Sequence, residues 1–263
     1  MKACVITIGN EILKGKTVNT NAAEIGRMLY FSGYEVYRGL TVQDNEAEIR
    51  WALKSVLGLC DIIVLSGGLG PTFDDITVLS FAREVGVPLV RDEETYIRIK
   101  EKAEKRGLQM TEEREKMALI PDGARTITNI VGSAPGIEFN AKGTRVFILP
   151  GVPEEMRSML ESIRNKIKLR DSFYEEESIT IKGVFEASLA PFVKKLMNSH
   201  GDAVYIKTHP GTSKEGEPVL EVEVSSKSDD QAKAKEIVRS ILNEIALEAQ
   251  NIKDLESPNE GHK

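Results

Sequence analysis

Leu65–Thr77 reads Leu-Ser-Gly-Gly-Leu-Gly-Pro-Thr-Phe-Asp-Asp-Ile-Thr, and it constrains the fold more than any other stretch. It follows Asp61–Leu65, a short apolar run that predicts a buried strand, and it leads into a helical pattern over Ile76–Val85. A strand, a turn with three glycines and Pro71, and then two aspartates at a helix start form a phosphate-and-metal geometry. Gly67, Gly68 and Gly70 permit positive φ and let backbone N–H groups approach a bulky anion. The following helix points its positive end at the same place. Asp74 and Asp75 add hard oxygen ligands suited to Mg²⁺ or Mn²⁺. A tight turn with an aspartate N-cap explains Gly67, Gly68 and one aspartate, but not two adjacent aspartates after three glycines.

The strands around this turn lead to further carboxylates. Ala3–Ile8 is a continuous apolar run that reads as a central parallel strand, with Glu11 just past its end. Glu11 suits a metal, a ribose or a plain loop. Asn21, with Glu24 three residues on, has capping-box spacing before a helix that runs to Ser32, and a cap there is compatible with phosphate contact. Tyr34–Val42 predicts a second strand, with Asp44 at its end and a helix over Glu46–Leu57. Asp44 is read either as a pocket carboxylate or as the N-cap of that helix. Strands alternating with helices over residues 1–167 predict a parallel sheet with helices on both faces, a three-layer α/β fold. Right-handed crossovers then gather Glu11, Asp44 and Asp74–Asp75 at the carboxyl edge of that sheet.

Glu93–Arg106 and Thr111–Leu119 predict charged helices whose Lys and Glu spacing means a solvated surface, and no chemistry is assigned to them. Short extended pieces are expected over Ile127–Val131 and Gly136–Phe139, and a strand over Thr144–Leu149. A helix follows from Glu154 to about Ile167, whose first-turn glutamates suit the helix dipole.

Several of these stretches together resemble a known family. Ser66–Thr77 resembles the Gly-Gly-x-Gly-Pro-x-x-x-Asp-x-Thr signature of the molybdopterin-binding fold shared by the MoaB, MogA and MoeA proteins. Gly9-Asn-Glu-Ile-Leu13 with Asn19-Thr-Asn21, Gly132-Ser-Ala-Pro-Gly136, and Leu149-Pro-Gly-Val-Pro-Glu-Glu-Met156 are more similar to the N-terminal domain of the competence-damage protein family, CinA. The resemblance implies a MoaB/Mog-like domain with ADP-ribose pyrophosphatase activity, releasing AMP and ribose 5-phosphate with a divalent metal (Mg, Mn or Co). It implies no organic cofactor. On this reading Asp75, Asp74 and Asp44 are catalytic, and Asp74 and Asp75 hold the metal. Gly67, Gly68, Gly70, Pro71, Thr77, Glu11, Asn21, Ser133, Gly136 and Gly151 contact substrate. The rival from the same fold is a molybdopterin-binding protein of cofactor biosynthesis, because molybdopterin also carries a phosphate. A non-catalytic nucleotide sensor using the same turn is a third reading.

From Lys168 the composition changes. Lys168–Glu177 is polar and reads as a linker, so the expected domains are 1–167 and 168–263. The second is a smaller α+β unit of βαββα order, similar to the KH-like domain that follows the first in the CinA family. It has no Gly-x-x-Gly loop and mixed helix charges, so nucleic acid is not an expected partner, and a structural or homodimer-forming role is expected instead. The chain stops after this unit, so the deamidase activity of longer bacterial relatives is not transferred. A net charge of −6 also argues against unspecific nucleic-acid binding. No apolar run reaches the roughly 18–20 residues that cross a bilayer. No signal sequence is read at the N-terminus, and a cytoplasmic protein without a membrane partner is expected. Cys4 and Cys60, in or beside predicted strands, are expected as buried free thiols. The polar stretch 251–263 is expected to fray.

Overall fold

A computed structural model describes residues 1–169 and 173–256. The chain divides into two compact units: Met1–Tyr30 with Tyr34–Lys168, and Phe31–Gly33 with the residues from Leu169 onward.

The first unit carries strands β1 (Lys2–Ile8), β2 (Glu35–Val42), β3 (Ile62–Ser66), β4 (Leu89–Arg91), β5 (Leu119–Pro121), β6 (Arg125–Ile127), β7 (Gly136–Ala141) and β8 (Thr144–Leu149). Its helices are α1 (Asn10–Leu13), α2 (Thr20–Phe31), α3 (Glu46–Val56), α4 (Thr77–Val85), α5 (Glu93–Lys105), α6 (Glu112–Lys116) and α7 (Pro153–Ile167). Six strands form one sheet in the order β2-β1-β3-β8-β7-β6. The four strands that carry the site loops, β2, β1, β3 and β8, run parallel. β7 and β6 run antiparallel to their neighbours, so the sheet is mixed and the all-parallel expectation is corrected. The reason is local. Only Lys142 and Gly143 separate β7 from β8, a tight hairpin that leaves no length for a crossover helix, and both residues have positive φ.

The apolar run of β1 is continuous because both faces of the sheet are covered. Cys4, Ile6 and Ile8 join a core with Ile49, Leu53 and Val56 of α3 and Phe81 of α4. The alternate residues Ala3 and Val5 are buried too, as are Ile25 and Leu29 of α2 and Met156 and Met159 of α7. Within that core Phe81 meets Phe139 edge-on, with centroids 5.5 Å apart. Cys4 and Cys60 are joined in a disulfide with Cα atoms 6.3 Å apart, which corrects the expectation of free thiols. Cys60 lies just before β3, and β3 pairs with β1, so the sheet itself brings the two residues together.

Two further expectations are corrected here. The helix expected over Thr111–Leu119 covers only Glu112–Lys116, because Leu119–Pro121 pairs with β4 as a strand. Residues 173–177 of the expected linker are already strand, paired with the second unit's middle strand, and 170–172 lie outside the described residues.

That second unit has β9 (Phe173–Lys182), α8 (Glu186–His200), β10 (Val204–Thr212), β11 (Pro218–Ser228) and α9 (Gln231–Glu256) in βαββα order. Its three strands form an antiparallel sheet in the order β10-β11-β9. Leu220, Val222 and Val224 pack there with Leu189, Val193, Val238 and Ile245 of the two helices. Helix α9 extends through residue 256, so part of the stretch expected to fray is helical, and 257–263 lie outside the described residues. Among the described residues, no helix is long and apolar enough to cross a membrane.

Candidate functional site

The parallel strands β1, β2, β3 and β8 end at the same edge, and the loops that leave them line one cavity of about 780 Å³. That size suits a ligand larger than a lone phosphate. The chain brings Glu11, Asp44, Gly67, Gly68, Gly70, Pro71, Asp74, Asp75, Ser133 and Gly151 to its wall. Three other candidates do not line it. Asn21 and Thr77 are buried behind it, and Gly136 starts β7 with Met159 and Ile127 packed against its Cα.

The glycine turn is tight for internal reasons. Gly67 has φ 118° and Gly68 φ 68°, and a Cβ on Gly67 would lie 2.2 Å from the Ile8 carbonyl oxygen. At Gly68 a Cβ would lie 2.2 Å from Thr77 Oγ1. Gly70 lies outside the positive-φ region. It is small because a Cβ there would lie 2.6 Å from Asp75 Oδ2. Gly151, in the loop after β8, abuts Gly67, with 3.3 Å between its would-be Cβ and the Gly67 Cα.

Asparagines fasten these loops together. Asn19, and not Asn21, caps α2, accepting from the Ala22 N–H at 3.1 Å. Its amide also donates to Thr7 Oγ1 of β1 at 2.8 Å. Asn21, freed from capping, donates to Ser66 Oγ and to the Gly151 carbonyl, both at 2.9 Å. Ser66 donates in turn to the Pro150 carbonyl at 2.9 Å, so the β3 and β8 ends are locked to one helix. Asn21 Oδ1 and Thr77 Oγ1 are buried beside the turn without a hydrogen-bond partner among the described residues.

Asn45 caps α3 by accepting from the Glu48 N–H at 2.9 Å, which leaves Asp44 free of the capping role. Asp44 Oδ2 accepts from the Asn10 N–H at 2.6 Å. Burial pushes its carboxyl above the ordinary range, and the neighbouring charges of Glu11 and Asp74 push the same way. Asp74 is shifted downward, because the Thr72 hydroxyl donates to it and the Lys116 ammonium lies nearby. Asp75 Oδ2 accepts from the Thr72 N–H at 2.8 Å and lies 2.6 Å from Thr72 Oγ1, whose single proton it shares with Asp74. Asp44 and Asp74 are thus shifted in opposite directions by their surroundings.

Sequence reasoning missed two groups. Lys102 and Arg106 at the end of α5, and Arg114 of α6, line the cavity although these helices read as plain solvated surface. Lys116 of α6 donates to the Thr72 and Asp75 carbonyls and so clamps the aspartate loop. Their charge spacing is that of any exposed helix, and only the pairing of β5 with β4 shows which face turns inward. Buried Asn129 is the other. Its Oδ1 accepts from the N–H groups of Val131 (3.1 Å) and Gly132 (2.6 Å), and its amide donates to Glu155 Oε2 (2.6 Å). It shapes the Gly132–Ser133 lip, while Lys102 donates to the Gly132 carbonyl.

The donor set is hard oxygen, which fits Mg²⁺ or Mn²⁺. Among the described residues no three His, Cys, Asp or Glu side chains form a ready-made chelate. The fit is therefore to a cation held by one or two carboxylates and completed by water and ligand phosphate, the usual habit of Mg²⁺.

The sequence model of a family described as "probable molybdopterin binding domain" matches residues 4–168. A protein of Caldivirga maquilingensis is 42% identical over 252 residues, covering 96% of this chain and 98% of its own. A protein of Thermoplasma volcanium is 44% identical over 252 residues, covering 96% and 97%. A crystal structure of the protein CinA, of unknown function, from Thermoplasma acidophilum is 50% identical with a TM-score of 0.60, covering 63% of this chain and 97% of that one. With the strand–glycine turn–aspartate unit inside the matched residues, the chain belongs to the molybdopterin-binding-domain family.

Proposed function

We propose that the cavity hydrolyses a phosphoanhydride with the help of a divalent metal, with ADP-ribose as the substrate that best fits the reading: water in, AMP and ribose 5-phosphate out. One observation carries it. A glycine turn suited to phosphate shares a single cavity with the carboxylates of Glu11, Asp44, Asp74 and Asp75 at the carboxyl edge of the sheet. The balance of charge supports a cation. The wall holds five carboxylates (Glu11, Asp44, Asp74, Asp75, Glu155) against three cations (Lys102, Arg106, Arg114), so an incoming diphosphate meets net repulsion until a cation joins it.

Asp74 and Asp75 would hold that metal. When bound it would neutralise phosphate oxygens and favour ionisation of a water. Asp44, with its raised carboxyl, suits taking a proton from the attacking water. The Gly67–Gly70 backbone and the Ser133 lip would orient the phosphates. Thr77 and Asn21 act from behind, the first under Gly68 and the second by locking Ser66 to Gly151.

The family description favours a second reading, a pterin phosphate bound on the same turn. The 50% identity to a CinA protein, over 63% of this chain, favours the first. Incubation with ADP-ribose, and separately with molybdopterin, with and without Mg²⁺, Mn²⁺ or Co²⁺, tests the choice. Metal-dependent release of AMP supports the hydrolase. Tight binding of ADP-ribose without turnover supports a sensor, and selective capture of molybdopterin supports the second reading.

A further inference from the structure

Helices α5 and α6 turn a basic face to the cavity. Arg106 ends α5, and Arg114 lies in α6, so two guanidiniums from separate elements meet one space that the glycine turn also lines. Arg114 donates through Nη1 to the Gln109 carbonyl at 2.8 Å, which fixes its stem and leaves its remaining N–H groups available. Arg106 makes no side-chain hydrogen bond or ion pair among the described residues. A cation at a helix C-terminus is favoured by the dipole, which accounts for Arg106 alone. It does not account for the second arginine, brought by a different helix to the same cavity.

Carboxylates also line this cavity, yet among the described residues neither arginine forms an ion pair with one. Arginines and carboxylates that line one cavity without pairing suit an anionic ligand that also carries a metal. Guanidinium is the side chain whose planar fork matches phosphate oxygens. Ile99, Ala103, Leu108 and Met117 add apolar lining to the same cavity.

We propose that Arg106 and Arg114 form a second anion subsite, which takes the phosphate of a nucleoside diphosphate that lies farther from the glycine turn. The substrate class is then a diphosphate with both phosphoryl groups engaged, one on the turn and one on the α5–α6 wall. This rests on the reading of the cavity given above.

Titration calorimetry with AMP and with ADP in Mg²⁺ tests it, using the full-length protein, Arg106→Glu, and the Arg106→Gln/Arg114→Gln double variant. Arg106 has no side-chain hydrogen bond or ion pair to lose among the described residues, so its variant is expected to fold as the parent does. Wild type is expected to bind ADP at least tenfold more tightly than AMP. Both variants are expected to lose that preference by weakening ADP tenfold or more while AMP changes less than threefold. Unchanged ADP affinity, or equal weakening of AMP and ADP, overturns the subsite and leaves the glycine-turn reading standing. A wild type that prefers ADP no more than AMP does the same. A wild type that binds neither overturns both.

Discussion

Single residues separate stability from chemistry here. Asp44 is held by one backbone N–H in a partly buried, negatively charged spot, so its folded-state affinity for a proton is higher than in the unfolded chain. Between the ordinary carboxylate value and the raised one the folded protein binds more protons, so in the metal-free protein stability falls as pH rises through that window. Asp44→Asn keeps a hydrogen-bond acceptor and removes the charge. It is expected to raise the melting temperature of metal-free protein at pH 7 by a few degrees, to erase the difference at pH 3, and to depress turnover of ADP-ribose at least a hundredfold. A melting temperature unchanged or lowered at pH 7 contradicts this account. The glycines differ in the same way. Gly67→Ala forces a Cβ against the Ile8 backbone at positive φ and is expected to destabilise the fold by on the order of 2–4 kcal/mol. Gly70→Ala meets only the Asp75 carboxylate, so it is expected to fold, to push Asp75 off Thr72 and to lose activity. Denaturant melts and assays of the two variants check this, and similar stability losses in both would refute the distinction. The glycine spacing was legible in the sequence, but these reasons were not. They depend on Ile8 at the end of β1 and on Asp75 and Thr77, which fold back onto the turn they follow.

At the scale of elements, the sheet edge was the most legible part. Apolar runs ending in Gly9, Val42 and Ser66 already implied where Glu11, Asp44 and Asp74 would gather. What did not show was the role of short elements. β4 and β5 pair through three residues each, too few for a periodic signal, and that pairing turns α6 toward the glycine turn. Capping was misplaced by two residues in α2 and by one in α3, because Asn19, Asn21, Asp44 and Asn45 are all good caps and only the backbone decides among them. Lys116 illustrates the consequence. It fastens the Thr72 and Asp75 carbonyls from outside the cavity, so Lys116→Met is expected to speed amide hydrogen exchange over 70–77 and to lower kcat/KM about tenfold, with a small change in melting temperature. Unaltered exchange in that segment would show that the loop is held by Thr72 alone.

For the molecule as a whole, every residue lining the cavity lies between Ile8 and Glu155, inside the family match and the first compact unit. The Thermoplasma acidophilum CinA structure covers 63% of this chain with 97% of its own length. A fragment ending at Lys168 is expected to bind ADP within about threefold of the full chain, measured by calorimetry, whereas loss of binding by a folded fragment would place part of the site in the second unit. The βαββα order of that unit was readable from alternating apolar patterns. Its starting point was not, because Glu175, Glu176 and Glu177 read as linker yet pair with Ser226, Ser225 and Val224 of β11. The most direct test of the central claim is phosphorus NMR of ADP-ribose with the full-length protein in Mg²⁺, beside the same protein in EDTA and the near-isosteric Asp75→Asn. The account predicts that the diphosphate resonances give way to two monophosphate resonances only in the Mg²⁺-loaded wild type. Persistence of the diphosphate there, or equal cleavage by folded Asp75→Asn, would contradict it.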